Sequence, residues 1–395
     1  MKICLVRHAY SPDDPRNRKQ VFALIEAGYS VDIICLKKKG QVKREKIPGV
    51  RVFTIPISHK RAGKFRYCFE YGFSFLIIST VLLYLYLRKR YDCIQVCTMP
   101  DFLVFTTILP KLFGAKVLLD LHEPTPELYV TKYGSNRLSP LLWLQVQLEK
   151  LAIKYADQSL TVTETLRRCL GERGADVERI TVIPNVCEES FERTFYDSLK
   201  GNQFAPNNMF RLVTHGLIEE RYGHELVIRA LMSLRDNLPE IHYDIIGDGG
   251  YRQRLVELVQ ELKCEDRIHF LGFLPFDDLL HELLKADVGV IGMQRSPYSE
   301  LIDTNKMYEY IAYRKPVIVP RLRAIEESFD DSCVMFFEPG NHQDLARCIM
   351  DLYQNPEKRQ YLAENAYRRY EPMCWKKSKK IYLQVVNNLT GKRAG

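Results

Sequence analysis

The sequence predicts an α/β protein made of two doubly wound units, each a parallel sheet covered by helices. Three observations predict it. Short apolar runs of strand character alternate with amphipathic helical stretches along most of the chain. The alternation lapses once, at Phe191–Met209, where Lys200-Gly201-Asn202-Gln203 and Pro206-Asn207-Asn208 have loop chemistry. A length of 395 residues, 46% hydrophobic and 27% charged, is enough for two or three domains with a sizeable core. The expected division is 1–200 and 201–395.

The first half reads element by element. Lys2–Val6 is a buried strand, and Lys19–Ala27 is a helix with Val21, Leu24 and Ile25 on one face. Gly28 ends it, and Ser30–Leu36 and Val50–Ile55 are strands. Tyr71–Leu87 is 17 residues without a charge, flanked by Arg66 and Arg88-Lys89-Arg90. A spanning helix needs about 20 apolar residues, so a helix packed on the sheet is expected. A spanning helix is the least favoured alternative, and a helix partly embedded in a membrane interface, with the cations on headgroups, is a third reading. Cys93–Val96 is a strand, Phe102–Phe113 a helix stopped by Gly114, and Lys116–Leu121 a strand ending at His122-Glu123. Pro140–Ala156 is a long helix, Gln158–Val162 a strand, Thr163–Glu172 a helix and Ile180–Ile183 a strand.

A second alternation starts at the strand Phe210–Thr214. The helix Gly223–Asp236, the strand His242–Ile246, the helix Tyr251–Leu262 and the strand Arg267–Leu271 follow. The helix Asp277–Lys285, the strand Val288–Ile291, the helix Asn305–Tyr313 and the strand Val317–Val319 complete the core. Ligands in such folds sit at the carboxyl ends of strands, so the expected site is a cleft between the two domains.

Composition narrows the function classes. It is average for a globular protein, which excludes disorder, collagen and a disulfide mini-scaffold. Eleven cysteines carry no CxxC and no zinc spacing, which fits a reducing cytosol. The apolar start stops at Arg7-His8, too short for a signal-peptide core. Net charge is +8, but residues 1–90 hold 19 Lys/Arg against 6 Asp/Glu. That asymmetry suggests a face made for an anionic surface or ligand. No aromatic-basic nucleic-acid module and no GxxxxGK[ST] loop is present, so nucleic-acid binding and P-loop chemistry are not expected.

The stretch Asp303–Val319 carries the strongest chemical signal. Asp303, Thr304 or Asn305 can cap a helix whose free N–H groups and dipole suit a phosphate. Lys306 adds a point charge there, and Glu309 lies one turn deeper on the same face, placed to grip ribose hydroxyls. The same residues also read as a surface i,i+3 pair. Gly247-Asp248-Gly249 follows a strand, where backbone can approach a ligand closely. His215-Gly216 also follows a strand, and Arg221 is a second phosphate contact or a solvated neighbour of Glu219 and Glu220. In the first half, His122 sits at a strand's carboxyl end, able to bind a sugar hydroxyl or handle a proton. The polar connection Asp13–Lys19 is a further candidate to face the cleft.

These segments resemble GT-B-fold glycosyltransferases of family 4, the glycosyl transferases group 1 type. The resemblance runs in order through Tyr91–Asp101, Gly114–Glu127, Leu160–Glu164, Val182–Val186, His215–Gly223, Tyr243–Gly249, Asp266–Pro275, Ala286–Val290 and Asn305–Val319. It implies two Rossmann-like domains facing a central cleft, with an N-terminal acceptor domain and a C-terminal domain that binds a nucleotide-sugar donor. The C-terminal helix is expected to cross back onto the first domain. By the resemblance, Glu309 holds the ribose, Arg221 the diphosphate with Lys306 beside it, and His122 stands near the transferred sugar. Gly216, Gly247, Asp248, Gly249, Thr304 and Asn305 complete the donor-binding set, with Gly272 and Phe273 in the loop that reads the base. The family retains anomeric configuration and needs no metal or other cofactor, because helix dipole and basic side chains replace it.

Three departures stand out. The family's first motif glutamate falls at Leu301, with Glu300 one residue off. Arg314 replaces the glycine after the helix, which costs about 1 kcal/mol if the position is left-handed. The N-terminal glycine-rich loop is replaced by Asp13–Lys19. The expectation is therefore a retaining transferase that moves a sugar from a UDP- or GDP-sugar to a glycan or polyprenyl-linked glycan acceptor in surface-polysaccharide assembly. It would be cytoplasmic, in peripheral contact with the inner face of the plasma membrane through its basic N-terminal domain. The alternatives are a nucleotide-sugar-binding partner subunit without turnover, motivated by the missing glutamate, and a GT-B-fold sugar-nucleotide epimerase.

Overall fold

The computed structural model describes residues 1–10, 14–37, 48–55, 64–134, 139–190, 193, 209–238 and 240–392. Two compact units divide the chain: Met1–Pro184 with Lys376–Gly395, and Asn185–Trp375. The division therefore falls before residue 200, and the C-terminal segment groups with the first unit. The expected boundary at 200/201 lies outside the described residues, as does the expected linker at 191–209 apart from residues 193 and 209.

In the first unit the strands are β1 (Lys2–Tyr10), β2 (Ser30–Leu36), β3 (Val50–Ile55), β4 (Cys93–Cys97), β5 (Lys116–Leu121), β6 (Gln158–Thr161) and β7 (Ile180–Val182). They pair in parallel in the order β3-β2-β1-β4-β5-β6-β7. β4 is buried along its whole length, which is why Cys93-Ile94-Gln95-Val96-Cys97 reads as a run rather than an alternation. The helices are α1 (Pro15–Glu26), α2 (Lys64–Lys89), α3 (Ile108–Leu112), α4 (Thr125–Tyr133), α5 (Pro140–Tyr155) and α6 (Glu164–Glu172).

In the second unit β8 (Phe210–His215), β9 (Ile241–Ile246), β10 (Ile268–Gly272), β11 (Val288–Val290), β12 (Val317–Pro320) and β13 (Met335–Phe337) pair in parallel as β10-β9-β8-β11-β12-β13. The helices are α7 (His224–Ser233), α8 (Arg252–Glu261), α9 (Phe276–Lys285), α10 (Asn305–Ala312), α11 (Arg323–Ser328), α12 (His342–Gln354) and α13 (Pro356–Tyr370). Each sheet reverses its strand order once, at β1/β4 and at β8/β11. Connections diverge there and leave a crevice outside the strands' carboxyl ends. Leu212, Ile245, Val288 and Ile318 are fully buried in the second core. Each such side chain stabilises the fold by about 1.5–3 kcal/mol.

The last helix, α14 (Trp375–Thr390), lies on the first unit. Tyr382 donates its hydroxyl to Gln95 Oε1 at 2.7 Å, and Tyr29 donates to Asn387 Oδ1 at 2.6 Å. Gln95 in turn donates to Gln20 Oε1 and to Asp120 Oδ2, at 2.8 and 2.9 Å. The buried amide is satisfied only with this helix in place.

One local expectation changes. Phe102–Phe113 is not one α-helix but a 3-10 segment, Asp101–Thr107, followed by α3. Thr106 and Thr107 return their hydroxyls to the carbonyls three residues back, at 2.8 and 2.6 Å, which favours the tighter turn. Thr125–Tyr133 is helical although Pro124 and Pro126 punctuate it, because proline is accepted in a helix's first turn.

Candidate active site

The carboxyl edge of the second sheet gathers most of the residues expected to bind a donor. β8 ends in His215-Gly216, and Gly216 has φ +106°. A Cβ there would stand 3.0 Å from Lys306 Cε, so a side chain would crowd the lysine. Gly247 follows β9 with φ +127°, and a Cβ on it would meet the Gly216 carbonyl oxygen at 2.0 Å. Glycine is thus required for these two turns to touch. Ile218 N–H donates to the Asp248 carbonyl at 3.0 Å, and Gly247 N–H to the Gly272 carbonyl at 2.7 Å. Gly249 closes on the Ile218 backbone. The three loops after β8, β9 and β10 are therefore stitched into one rim, from which Phe273 projects 85% exposed.

α10 opens at this rim. Thr304 caps it, accepting from Lys306 N–H at 3.3 Å, and Asn305 is its first residue. Lys306 Nζ lies 4.3 Å from the centroid of the Tyr222 ring, and the Arg221 guanidinium 4.9 Å from the same ring. Two cations thus stand against one ring beside the free end of a helix, a combination that favours an anion. Burial lowers the Lys306 pKa, Glu309 raises it and Arg221 lowers it further, leaving it at about 8. His224, behind them, is pushed down to about 3 by burial and by the Lys306 charge. It stays neutral and adds nothing to the field.

Glu309 is 7% exposed and is held by His215 Nε2. It is not a surface partner of Lys306. His215 Nδ1 faces the Tyr310 hydroxyl at 3.0 Å. Burial and Glu309 raise the Tyr310 pKa well above its usual value, so its hydroxyl keeps its proton to donate. This network assigns the imidazole proton to Nε2, donated to the Glu309 carboxylate. His215 was only a strand end in the sequence. Its contact with Glu309 spans 94 residues, and the sole signal for it was its place at the carboxyl end of β8.

The departures also have physical forms. Leu301 is buried at 3% exposure. Glu300 is turned to Arg323 N–H at 2.9 Å and to the Arg295 guanidinium at 3.4 Å. Its carboxylate is engaged by these two groups. Arg314 has φ +49° and covers the Tyr367 ring at 3.9 Å.

In the first unit, His122 follows β5 and is buried, with Nε2 3.2 Å from Asp120 Oδ2. Its Nδ1 has no hydrogen-bond partner among the described residues. The start of α1 comes close, since Pro15–Lys19 are helical under an Asp14 cap rather than part of the expected polar loop: Arg16 pairs with Glu123 at 3.2 Å and Arg7 with Asp14 at 2.7 Å. Burial would raise the Asp14 pKa, but Arg16 and Arg7 outweigh it and hold the carboxyl well below the usual range. Asp13 lies outside the described residues, while Asp14–Lys19 are described. Cys97, Asp120 and His122 place donor atoms within 4.8 Å of one another, the one such group among the described residues. Asp120 is already filled by Gln20 and Gln95 at 3.0 and 2.9 Å. Burial keeps the Cys97 thiol far above its usual pKa, and the Arg7 charge nearby opposes a cation. The group is read as a hydrogen-bonded cluster around His122.

Comparison with known proteins decides the family. A model described as "Glycosyl transferase 4-like domain" matches residues 15–186, and one described as "Glycosyl transferases group 1" matches residues 197–369. The chain belongs to the group 1 glycosyltransferase family. Sulfoquinovosyl transferase SQD2 of Arabidopsis thaliana is 23% identical over 297 residues, 73% of this chain but 55% of that protein. The chain thus spans about half the length of this curated relative. The putative colanic acid biosynthesis glycosyl transferase WcaI of Escherichia coli is 22% identical over 72% of this chain and 70% of its own. Among solved structures, sucrose-phosphate synthase from Thermosynechococcus elongatus has a TM-score of 0.77 at 17% identity, covering 99% of this chain and 100% of the other. WaaG, a glycosyltransferase involved in lipopolysaccharide biosynthesis, gives 0.71 at 14% identity, covering 98% and 100%. Anabaena Alr3699/HepE, solved with UDP, gives 0.68 at 16% identity, covering 99% and 100%. The group 1 chain therefore has the GT-B fold, two parallel α/β sheets of Rossmann-like build.

Proposed function

We propose that the protein is a retaining glycosyltransferase that moves a sugar from a UDP- or GDP-sugar to a glycan or polyprenyl-linked glycan acceptor in surface-polysaccharide assembly. The single observation that carries the donor reading is the pair of cations, Lys306 and Arg221, against the Tyr222 ring at the open end of α10. They would take the diphosphate together with the helix N–H groups. Glu309, oriented by His215, would accept both ribose hydroxyls, and the Gly272-Phe273 loop would flank the base. As the glycosidic bond breaks, charge grows on the leaving phosphate, where these fixed donors are worth most. The phosphate would assist attack from the same face, and His122 would bind the sugar. The helix end and cations fill the part a metal ion would otherwise play, so no metal or other cofactor is proposed. UDP in the HepE structures supports a nucleotide-sugar donor, and the relatives' names support a glycan product.

Localisation would be cytoplasmic, with peripheral contact to the inner face of the plasma membrane through the basic N-terminal unit. The engaged Glu300 supports a second reading, a donor-binding subunit without turnover.

A thermal-shift screen against UDP, GDP, ADP and their sugars tests the donor. A ligand at a hundred times its Kd stabilises by about 2.7 kcal/mol, and failure of every nucleotide would sink the donor reading. Glu309→Ala should abolish measurable sugar transfer or donor hydrolysis. Wild-type rates in that variant would remove Glu309 from the mechanism. Binding of UDP or GDP without turnover on any acceptor would favour the second reading.

A further inference from the structure

The outer faces of α2, α3 and α5 form one apolar layer on the first unit. α2 buries Ser74, Ile78, Leu82, Leu85 and Tyr86 against the fold. Its opposite face is apolar too: Phe73, Leu76, Tyr84 and Leu87 follow helical spacing and are each more than half exposed. An ordinary surface helix is polar on that side. Two of its hydroxyls bond to the helix's own backbone, Ser79 to the Phe75 carbonyl at 2.8 Å and Thr80 to the Leu76 carbonyl at 2.9 Å. That is how polar groups are satisfied where water is scarce.

The layer continues sideways. The 3-10 segment packs between α2 and α5. Phe102 meets Phe75 at 6.1 Å between ring centroids, and Phe105 meets Tyr155 at 5.3 Å. α3 follows it, with Leu109, Leu112 and Phe113 exposed, Leu112 at 76%. Tyr86 of α2 donates to the Phe113 carbonyl at 2.8 Å, so the two helices adjoin. On α5, Leu141, Trp143, Leu144 and Leu151 are exposed. In all, 12 of the 22 large apolar side chains exposed among the described residues lie on these three helices and Phe113, too concentrated to be ordinary surface scatter.

Charge selects the occupant. Residues 71–89 and α3 carry no acidic residue, and the single acid of α5, Glu149, is buried against Arg173. Asp92 and Asp157 at the margin are engaged by Lys2 N–H and by Lys111. The exposed charges described on these helices are cations, Arg88, lying over the Tyr84 ring at 4.4 Å, and Lys154, with Arg90 just after α2 and Asp92 the one exposed acid beside them. A second copy docking through the same face would set like charges against each other. An anionic bilayer would not.

The geometry points to a monotopic membrane platform made by α2, α3 and α5, which inserts its apolar side chains into an anionic leaflet and rings them with cations. This rests on the peripheral-membrane reading above and deepens it. That reading needs only basic charge, whereas the platform needs buried leucines and the Trp143 ring at the interface.

The full chain is tested on vesicles of phosphatidylcholine and phosphatidylglycerol in a two-to-one ratio. The protein should co-sediment, and its emission should shift blue, because Trp143 is 65% exposed while the other tryptophan, Trp375, is 4% exposed. Trp143→Phe should keep sedimentation and lose the shift. Leu112→Asp and Leu144→Asp each remove an inserted side chain and should weaken vesicle binding about tenfold or more. Their UDP-induced thermal shift should match wild type, which certifies the fold and keeps the donor question separate. Salt-sensitive binding unchanged in both leucine variants would overturn the platform while leaving the charge-only reading. Absence of vesicle binding, or a solution dimer that shields Trp143, would overturn it as well.

Discussion

Lys306 is the residue on which pH should act. Its free-state pKa of about 8 means that it loses charge as pH rises from 7 to 9. A bound diphosphate favours the charged form and restores the proton. UDP affinity should therefore fall as pH rises through about 8, and binding at pH 8–9 should draw a proton from the buffer. Isothermal titration in buffers of different ionisation enthalpy measures this. Flat affinity from pH 7 to 9 with no proton uptake would exclude Lys306 from the anion site. How much of this was legible can be judged residue by residue. The helix start, Lys306 and Glu309 could be read from i,i+3 spacing and a cap. The Tyr222 ring shared by the two cations could not, since nothing local links residues 222 and 306. His215 was likewise hidden, because its role comes from β8 ending beside α10 rather than from its neighbours in sequence.

Helix α14 is an element whose cost of loss can be stated. Tyr382 is fully buried, and its hydroxyl satisfies Gln95 Oε1. Tyr382→Phe leaves that buried acceptor without its donor and should destabilise the protein by about 1–3 kcal/mol, read by urea unfolding. A loss within error would mean that Gln95 finds another partner. The strand–helix alternation made most elements of both sheets legible, since period-2 and period-3.6 patterns survive wherever one face is buried. It failed where tertiary context decides. The 3-10 segment looked like an α-helix because both expose the same apolar pattern. The apolar α2 could be recognised as a helix, but not which side it presents to the outside. That depends on which residues the sheet covers.

For the molecule as a whole, nucleotide should be felt in one unit. Hydrogen exchange of the intact chain with UDP should slow at 215–223, 247–251, 272–275 and 304–309, and leave the strands of the first unit unchanged. Protection centred on the first unit instead would reassign the donor site. Under the proposed function the uneven +8 charge would serve separate tasks, a few cations for a diphosphate and a basic first unit for a surface. The path of the chain has one more consequence, for synthesis on the ribosome. Residues 1–184 emerge first, yet the helix that satisfies Gln95 and covers Tyr29 is translated after all of 185–375. At about 5–20 residues per second, the nascent first unit waits roughly ten to forty seconds for its last piece. Meanwhile the second unit, contiguous in sequence, can close upon itself. The half that is made earliest is completed last, and during that interval its flank beside Gln95 and Tyr29 stays uncovered.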